Sequence, residues 1–579
     1  MRERGIAALI VPGTDPHSSE YIAAHWQERS FISAFTGSAG TAVITLDGGC
    51  LWTDSRYFLQ AAEQLKKSGL QLQKDGVIGT PDIATWLGST LKNGDTVAVN
   101  PAMFSINGMR KLESQLAEYG ISINTNYDFI SDVWKERPAL PDAPVMVFDE
   151  KYTGRSIGDK LAALRTEMGK LHIDTILLTA LDDIAWLFNL RGNDIECNPV
   201  FISFAIVDSK KATLFINPAK LDDKTKAYLT ESEVEWRGYG EIFTALKSLN
   251  GGVRIGLDFN KVNYALYKSI PCACQTVEIP PVVFRMKAIK NDVELAGERR
   301  AMVKDGVALV RFFMWLEKAV AKGEVTELSA IARLHECRAA QDKFVMESFG
   351  TIAGYAEHGA IVHYSSSPET DIPLKAENFF LLDSGGQYLD GTTDITRTVA
   401  LGRLTQQQKR DYTLVLKGHI ALATAKFPYG TRGSQLDILA RNFLWQNAMN
   451  YGHGTGHGVG HFLNVHEGPQ NIRMDENPTI LEPGMVISNE PGIYCAGQYG
   501  IRTENLVAVK EAGESEFGRF LCFETLTLFP FDTKSIDKKM LTDEEIRWIN
   551  GYHKMVFKKL SPKLTKEERA WLEKKTREI

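Results

Sequence analysis

The chain has 579 residues, of which 44% are hydrophobic and 24% are charged, a composition typical of globular proteins that bury large cores. At roughly 100 to 200 residues per domain, this length predicts three to five domains. The 66 basic and 72 acidic side chains give a formal charge of −6, so the charge balance predicts no nucleic-acid partner.

The sequence carries no sign of a membrane segment or of secretion. No apolar run approaches the roughly 18 residues that a membrane helix needs, and residues 1–5 lack the charged-then-apolar order of a signal peptide. The seven cysteines are scattered, form no zinc-binding pattern and are expected to be reduced thiols. We therefore expect a cytoplasmic protein with no membrane partner.

Two proline-rich segments mark the expected boundaries between domains. One contains Pro138, Pro141 and Pro144, and the other, Pro280-Pro281, precedes a long helical pattern that starts near Asn291. They predict an α/β domain at residues 1–145, a second at 146–283 and a third domain at 284–535. Capping boxes at Thr542 and Thr565 predict that residues 536–579 form a helical extension packed on the third domain.

The first two domains resemble each other in their order of elements. Apolar β-rich runs at 6–11 and 173–178 are each followed by a helical stretch and then by a strand hairpin, at 40–53 and 200–216. This alternation predicts two related α/β units. An amphipathic helix with Leu161, Leu164 and Met168 precedes only the second copy, so we expect the natural chain to begin upstream of residue 1.

The third domain is the candidate catalytic unit, because seven of the twelve histidines lie between His358 and His466. Its most specific segment is 453–461, in which histidine recurs every fourth residue among alternating glycines. A helix there would pay about 1 kcal/mol for each glycine, which argues against a helical metal site. Alternating glycine instead predicts an extended chain with imidazoles projecting into a cavity. A glycine-rich loop with surface histidines is the alternative.

Four carboxylates end apolar, strand-like runs in the same domain. Segments 379–386 and 393–397 predict two strands joined by a turn, which would bring Asp383 and Asp394 together. Glu490 and Glu504 follow two further runs. Taken alone, each residue is better explained by an ordinary turn, surface or salt-bridge position than by metal binding.

Taken together with one imidazole, these four carboxylates indicate a metal site. Their charge of −4 would be neutralised by two divalent cations. Oxygen-rich ligation with one nitrogen suits Mn²⁺, Co²⁺ or Zn²⁺ and disfavours copper or a structural zinc. Two such cations about 3.5 to 4 Å apart can bridge and activate a water for hydrolysis.

Further motifs extend along the whole chain: Phe-Thr-Gly-Ser-Ala-Gly-Thr-Ala at 35–42, Leu-Trp-Thr-Asp-Ser-Arg-Tyr at 51–57 and Ala-Trp-Leu-Phe-Asn-Leu-Arg-Gly at 185–192. With the histidine and carboxylate segments, the sequence resembles the long, three-domain X-Pro aminopeptidases (aminopeptidase P) of the pita-bread metallopeptidase family. The resemblance implies two related α/β creatinase-type N-terminal domains followed by a pita-bread α+β catalytic domain.

The resemblance also implies roles for individual residues. Asp383 would ligate one metal, Asp394 and Glu504 would bridge both, and His457 and Glu490 would complete the second. The implied catalytic residues are His363, His453, His466 and Glu490, and the implied substrate contacts are His363, His453 and Arg502. Mn²⁺ is the expected metal, with Zn²⁺ and Co²⁺ as alternatives. His358, His419 and His461 have no such role and are expected to be exposed or bonded within the core.

The implied function is hydrolysis of the N-terminal X-Pro bond of peptides by a metal-bridging hydroxide, with peptides that carry proline at position two as partners. A homodimer is expected, since long members of the family are often dimers. A prolidase-like X-Pro dipeptidase is one alternative, although such enzymes are normally shorter. A non-catalytic, peptidase-like binding module is another, although it would not need five intact ligands.

Overall fold

The computed structural model describes residues 1–579 apart from the side chain of Lys67, and the chain divides into two compact units. The first contains residues 1–150 and 155–283, and the second contains residues 151–154 and 284–579. The finer division at 145, 283 and 535 stays a prediction. Among the described residues, none of the helices combines the length and the apolar character that a membrane-spanning segment requires.

The first unit contains two six-stranded sheets. The strands of this unit are β1 Ala8–Pro12, β2 Thr41–Thr45, β3 Gly49–Thr53, β4 Gln71–Lys74, β5 Thr96–Val99, β6 Ser122–Asn124, β7 Met146–Val147, β8 Thr175–Leu178, β9 Leu190–Arg191, β10 Ser203–Asp208, β11 Ala212–Ile216, β12 Val234–Arg237, β13 Arg254–Leu257 and β14 Gln275–Glu278. The first sheet has the order β4-β3-β2-β1-β5-β6 and the second the order β12-β11-β10-β8-β13-β14.

The two sheets also share their strand directions. In each, the first strand pairs antiparallel with a hairpin on one side and parallel with a later strand on the other. The hairpins are β2–β3 and β10–β11, in the two predicted segments. The same order with the same directions is what a duplicated α/β unit produces, so the predicted repeat is confirmed.

Along residues 1–290 the α-helices are α1 Glu28–Ser33, α2 Phe58–Gln64, α3 Ile83–Thr90, α4 Ile106–Ala117, α5 Phe129–Val133, α6 Glu150–Thr153, α7 Ile157–Lys170, α8 Leu181–Leu187, α9 Asp223–Glu231, α10 Ile242–Lys247, α11 Tyr264–Lys268 and α12 Val282–Ala288. Helix α7 is the predicted amphipathic helix, and it buries Leu161, Leu164 and Met168 on one face. The chain before β1 forms a short 3₁₀ turn, Arg2–Arg4.

The second unit is built on mixed sheets and long helices. Its strands are β15 Phe344–Glu347, β16 Ile352–Tyr355, β17 Phe379–Ser384, β18 Gly386–Tyr388, β19 Gly391–Thr392, β20 Ile395–Ala400, β21 Lys426–Pro428, β22 Gly456–Gly458, β23 Glu467–Ile472, β24 Val486–Asn489, β25 Gly492–Cys495, β26 Tyr499–Arg502, β27 Asn505–Ser515 and β28 Gly518–Thr525. The largest sheet has the order β21-β28-β27-β24-β22-β23, and β17 is the centre of the sheet β16-β17-β20.

Its helices are α13 Asp292–Lys322, α14 Glu327–Ala339, α15 Gln406–Ala423, α16 Gly433–Trp445, α17 Asp543–Leu560 and α18 Lys566–Lys575. Asn291 caps α13, at the predicted start of the long helical pattern. Both predicted C-terminal capping boxes form, at Thr542 with Glu545 and at Thr565 with Glu568. The apolar faces of α17 and α18 lie in the same core as those of α13 and α15.

Candidate metal centre

Two neighbouring strands bring the aspartates together. Asp383 lies near the end of β17 and is paired across the sheet with Thr396 of β20, while Asp394 lies one residue before β20. The predicted pairing of the two strands is therefore correct, but the connection is not a simple turn. It contains the short strands β18 and β19, which pair with each other. Gly385 allows this close crossing, because a Cβ there would lie 1.9 Å from the carbonyl oxygen of Thr393.

The centre of the histidine-glycine segment, residues 456–458, forms an extended strand, whereas its ends lie outside regular strand structure. His457 is the central residue of β22, and a Cβ on Gly456 would lie 2.0 Å from the carbonyl oxygen of Ser488 in β24. The Nδ1 atom of His457 lies 2.9 Å from the carbonyl oxygen of Gly458, which can only accept a hydrogen bond. Nδ1 therefore carries a proton, and Nε2 is the nitrogen that is placed to bind a metal.

The free nitrogen of His457 faces two carboxylates. Its Nε2 atom is 3.4 Å from Oδ2 of Asp394 and 3.6 Å from Oε1 of Glu490. Asp394, His457 and Glu504 each offer one ligand atom, and these three atoms lie within 4.8 Å of one another. Such spacing fits donors that share a cation.

Each of the two glutamates accepts a hydrogen bond from a neighbouring hydroxyl group. Glu490 follows β24, and its Oε1 atom accepts from the Ser488 hydroxyl at 3.3 Å. Glu504 lies between β26 and β27, and its Oε2 atom accepts from the Thr396 hydroxyl at 2.8 Å. These bonds leave the other carboxylate oxygens available to a ligand.

Two buried oxygen atoms support cation binding. Within the described part of the chain, Oδ1 of Asp383 and Oδ1 of Asp394 have no hydrogen-bond partner, although both residues are buried. A buried, unpaired carboxylate oxygen costs several kcal/mol in order of magnitude, so groups of this kind are normally paired or bound to a cation. The carboxylates and the single imidazole thus fit two divalent cations.

The carboxylate pKa values show how strongly these groups affect one another. Burial and the neighbouring charges of Asp383 and Glu490 raise the pKa of Asp394 well above its usual range. Burial and the charges of Asp394 and Asp383 do the same to the pKa of Glu504. Burial and the charge of Glu504 raise the pKa of Glu490 to about 8. Without cations the cluster would hold protons, and bound cations would displace them.

Arg502 lies against this cluster. Its Nη2 atom donates to Oδ2 of Asp383 at 2.6 Å, and its Nε atom donates to the Thr396 hydroxyl at 3.2 Å. Its Nη1 atom donates to the Tyr494 hydroxyl at 2.6 Å, and Tyr494 in turn lies 2.8 Å from Nε2 of His453. Arg502 therefore links Asp383 to one of the predicted catalytic histidines.

The three predicted catalytic histidines lie in different surroundings. Nδ1 of His453 is 3.9 Å from Oε2 of Glu490. The ring of His466 lies edge-on to the ring of His457, with 4.4 Å between centroids. His363 is half-buried in the loop after the 3₁₀ helix Ala356–Ala360, next to Val362, whose carbonyl accepts from Arg502 at 3.4 Å. Their catalytic roles, and the individual ligand assignments, stay predictions.

Thr396 and Tyr494 contact the cluster but were not singled out from the sequence. Both could have been found from strand periodicity. Thr396 is two residues after Asp394, and Tyr494 is four residues after Glu490, so in an extended chain each points to the same side as the carboxylate before it.

The remaining histidines are bonded elsewhere, as expected. His419 and His461 are buried and lie 3.1 Å from the Asn489 carbonyl and from Glu298, respectively. His358 is half-buried and lies 3.0 Å from Glu327.

Family models match almost the whole chain. The Creatinase/Prolidase N-terminal domain matches at residues 1–125 and 136–294, Metallopeptidase family M24 at 296–511, and the C-terminal region of peptidase M24 at 519–579. The "Probable Xaa-Pro aminopeptidase P" of Coprinopsis cinerea is 42% identical over 606 residues, which cover 100% of this chain and 97% of the relative. The chain belongs to metallopeptidase family M24.

Solved structures agree with this assignment. The X-prolyl aminopeptidase of Caenorhabditis elegans, described as a cytosolic enzyme with a di-nuclear active site, superimposes with a TM-score of 0.95 at 36% identity, covering 99% of this chain and 95% of that one. The predicted fold class, two creatinase-type domains and a pita-bread domain, is confirmed. The Xaa-Pro dipeptidase of Bacillus anthracis covers 65% of this chain and 99% of its own, with a TM-score of 0.53 at 23% identity, and shares the fold alone.

The stability of this M24 metallopeptidase without metal should depend on pH through Glu490. Its pKa is raised from 4.5 to about 8 by folding, so the folded state binds a proton more tightly than the unfolded state between these values. That contribution to stability is present below about pH 4.5 and is lost as the pH rises to about 8. We expect the melting temperature of the metal-free protein, relative to that of Glu490→Gln, to fall over this range. Parallel pH profiles for the two proteins would contradict the prediction.

Two neighbouring glycines provide a matched test of the close contact between β22 and β24. Gly456→Ala would place a methyl group 2.0 Å from the Ser488 carbonyl, whereas Gly454→Ala meets nothing nearer than 3.4 Å. Overpacking of this kind costs about 1 to 3 kcal/mol and would displace His457. We expect Gly456→Ala to retain roughly tenfold less metal after dialysis and Gly454→Ala to retain the wild-type amount. Equal retention in the two variants would show that the contact does not position His457.

Proposed function

We propose that this chain is a dinuclear metallo-aminopeptidase that removes the first residue from peptides whose second residue is proline. The observation that carries the proposal is a cluster of three buried carboxylates, Asp383, Asp394 and Glu504, beside the half-buried Glu490 and His457, with unpaired oxygens on Asp383 and Asp394. The near full-length similarity to an Xaa-Pro aminopeptidase P from Coprinopsis cinerea supports the choice of substrate. The intact ligand set argues against a non-catalytic binding module.

In this proposal, Asp383 would ligate one cation, Asp394 and Glu504 would be shared by both, and His457 and Glu490 would complete the second site. The proximity of His457 Nε2 to Asp394 and Glu490 supports the second site. Mn²⁺ is the proposed metal, because the donors are mainly carboxylate oxygens, and Zn²⁺ and Co²⁺ are the alternatives.

The X-Pro bond is a tertiary amide and lacks the N–H group that ordinary peptidases bind. The two cations, when bound, supply an activated water and polarise the scissile carbonyl. His363 is positioned in the loop next to Arg502 and stabilises the charge that develops on the carbonyl oxygen. Glu490 and His466 are the candidates that carry a proton to the prolyl nitrogen.

Arg502 and His453 are the proposed substrate contacts, together with His363. Arg502 donates to the Tyr494 hydroxyl, which in turn is hydrogen-bonded to Nε2 of His453. Nδ1 of His453 then donates to the Gly454 carbonyl at 2.8 Å. This chain of bonds fixes the orientation of the His453 imidazole.

The free α-amine of the substrate is cationic and would lie near the acidic ligands, which restricts the enzyme to the amino terminus. We expect rapid cleavage of Arg-Pro-Pro after manganese reconstitution, little cleavage of the acetylated peptide, and little cleavage of Gly-Pro. Equal rates on acetylated and free peptide would rule out an aminopeptidase. Preference for Gly-Pro would indicate the prolidase-like alternative.

Two variants separate the chemistry from metal binding in the same assay. His363→Ala should lower kcat by roughly 10²-fold to 10³-fold, as the loss of an oxyanion donor does, while metal content stays near that of the wild type. Asp394→Asn should lose metal and activity together, because it removes a bridging carboxylate. Near-normal turnover of Asp394→Asn with metal retained would refute the ligand assignment.

The cytoplasm is the proposed compartment. All seven cysteines are free, and the similar Caenorhabditis elegans structure is that of an enzyme described as cytosolic. Reduced thiols suit the cytoplasm, where disulfides are rare.

A homodimer is proposed as the working assembly. Ile438 and Trp445 are 41% and 40% exposed and lie seven residues apart on α16, so they share one face of that helix. A two-fold axis would pair this apolar face with itself. Light scattering should give twice 64.5 kDa for the wild type and 64.5 kDa for Trp445→Glu. Phe517→Glu, at the exposed tip of the β27–β28 hairpin, is the control and should stay dimeric.

A further inference from the structure

The strand that follows Asp394 has side chains in two different environments. Thr396 and Thr398 of β20 lie on the side of the cluster, where their hydroxyls donate to Oε2 of Glu504 at 2.8 Å and to the Arg502 carbonyl at 3.0 Å. Successive side chains of a strand point to opposite faces. Arg397, between them, therefore extends to the other face, where it meets Tyr552 of α17.

Arg397 is fully buried and holds the main chain of a proposed metal ligand. Its Nη1 atom donates to the carbonyl oxygen of Glu504 at 2.5 Å and to that of Thr396 at 3.0 Å. The amide of Glu504 donates in turn to the Thr396 carbonyl at 3.1 Å. Both peptide groups that flank the Cα atom of Glu504 are thus hydrogen-bonded to residues of β20. These bonds fix the backbone that carries the Glu504 carboxylate.

The Nη2 and Nε atoms of Arg397 are hydrogen-bonded to residues of β27, of the chain that follows β28 and of helix α17. Its Nη2 atom shares its two hydrogens among the Phe529 carbonyl at 2.6 Å, Oδ1 of Asn505 at 2.8 Å and the Tyr552 hydroxyl at 3.0 Å. Its Nε atom donates to the Pro530 carbonyl at 3.2 Å. In the described part of the chain, no carboxylate forms an ion pair with Arg397. A buried charge held only by neutral acceptors is costly, so the loss of one acceptor leaves it less well compensated.

Tyr552 completes this arrangement from the middle of α17. Its hydroxyl accepts from Arg397 and lies 2.9 Å from the Phe529 carbonyl and 3.0 Å from the Thr527 carbonyl, either of which can accept its hydrogen. The Tyr552 ring packs against Trp548 and Phe531, and the Arg397 guanidinium lies 4.6 Å above the Phe531 ring. The hydroxyl is therefore rigidly placed by its helix and by its aromatic neighbours.

We propose that Tyr552 is a positioning residue for the metal centre: through Arg397 it fixes the main chain of Glu504, so that helix α17 presets a bridging ligand. Tyr552 touches neither substrate nor cation. The inference rests on the proposed function, because it takes Glu504 as a metal ligand. This positioning role would give the C-terminal helical extension a part in metal binding, in addition to the apolar side chains that it contributes to the hydrophobic core.

Tyr552→Phe is the direct test, because it removes one hydroxyl and keeps the ring. Arg397 would keep its bond to Glu504 but lose one of its fixed acceptors, so we expect Mn²⁺ binding to weaken by up to about tenfold, at the low end for residues that support metal ligands. Manganese affinity is measured by competition with a chelator on the full-length protein. Activity at saturating manganese should approach that of the wild type.

Tyr412→Phe is the matched control. Tyr412 is equally buried, and its hydroxyl accepts from the Asp532 amide at 3.2 Å, with no hydrogen bond to Arg397 in the described structure. It should bind manganese as the wild type does. Arg397→Lys keeps the positive charge, but a lysine ammonium cannot bond to both the Glu504 carbonyl and the Tyr552 hydroxyl. It should weaken manganese binding further, by up to about 100-fold.

The outcomes separate this inference from the proposed function. If the wild type binds fewer than two cations, the proposed metal centre itself fails. If the wild type binds two, and Tyr552→Phe or Arg397→Lys binds them as tightly, the positioning role is overturned. Equal weakening in Tyr552→Phe and Tyr412→Phe would also overturn it, because the effect would then follow from any lost buried hydroxyl.

Discussion

Repulsion among buried carboxylates is the constraint on which the catalytic half of this structure depends. Asp394, Glu490 and Glu504 have raised pKa values, first because burial removes water and then because carboxylates face one another. Such a group stays together only where protons, cations or basic side chains offset the charge. Arg502 approaches Asp383 from one side and His457 approaches Asp394 from another, and the proposed divalent cations would supply the rest.

The strands that adjoin the two glutamates also contain buried polar side chains next to them. The residue before Glu490 and the residue after Glu504 are both asparagines, and Asn489 and Asn505 are cross-strand partners. His419 of α15 bonds to both, with Nδ1 3.1 Å from the Asn489 carbonyl and Nε2 3.2 Å from Nδ2 of Asn505. Burial and the charge of Arg397 lower the pKa of His419 to about 3, so this support stays neutral throughout the physiological pH range.

Much of the fold and of the site could be predicted because the relevant signals are local. The alternation of glycine with histidine predicted an extended strand at β22, and the capping boxes at Thr542 and Thr565 predicted the starts of α17 and α18. Each signal involves residues within a few positions of one another, whose conformations are restricted by sterics and by local hydrogen bonds. Strand alternation could also have identified Thr396 and Tyr494.

The sequence by itself determined the residue types that can bind divalent cations, the strands that carry them and the duplication of the first α/β unit. Only the tertiary structure decided which groups face one another. Arg502 and Asp383 are 119 positions apart, and Tyr552 and Arg397 are 155 apart, so no local rule links them. Their contacts arise from the packing of β20 between a cluster of carboxylates and helix α17. The insertion of β18 and β19 between the two aspartates was likewise set by long-range pairing, since β18 also pairs with β15.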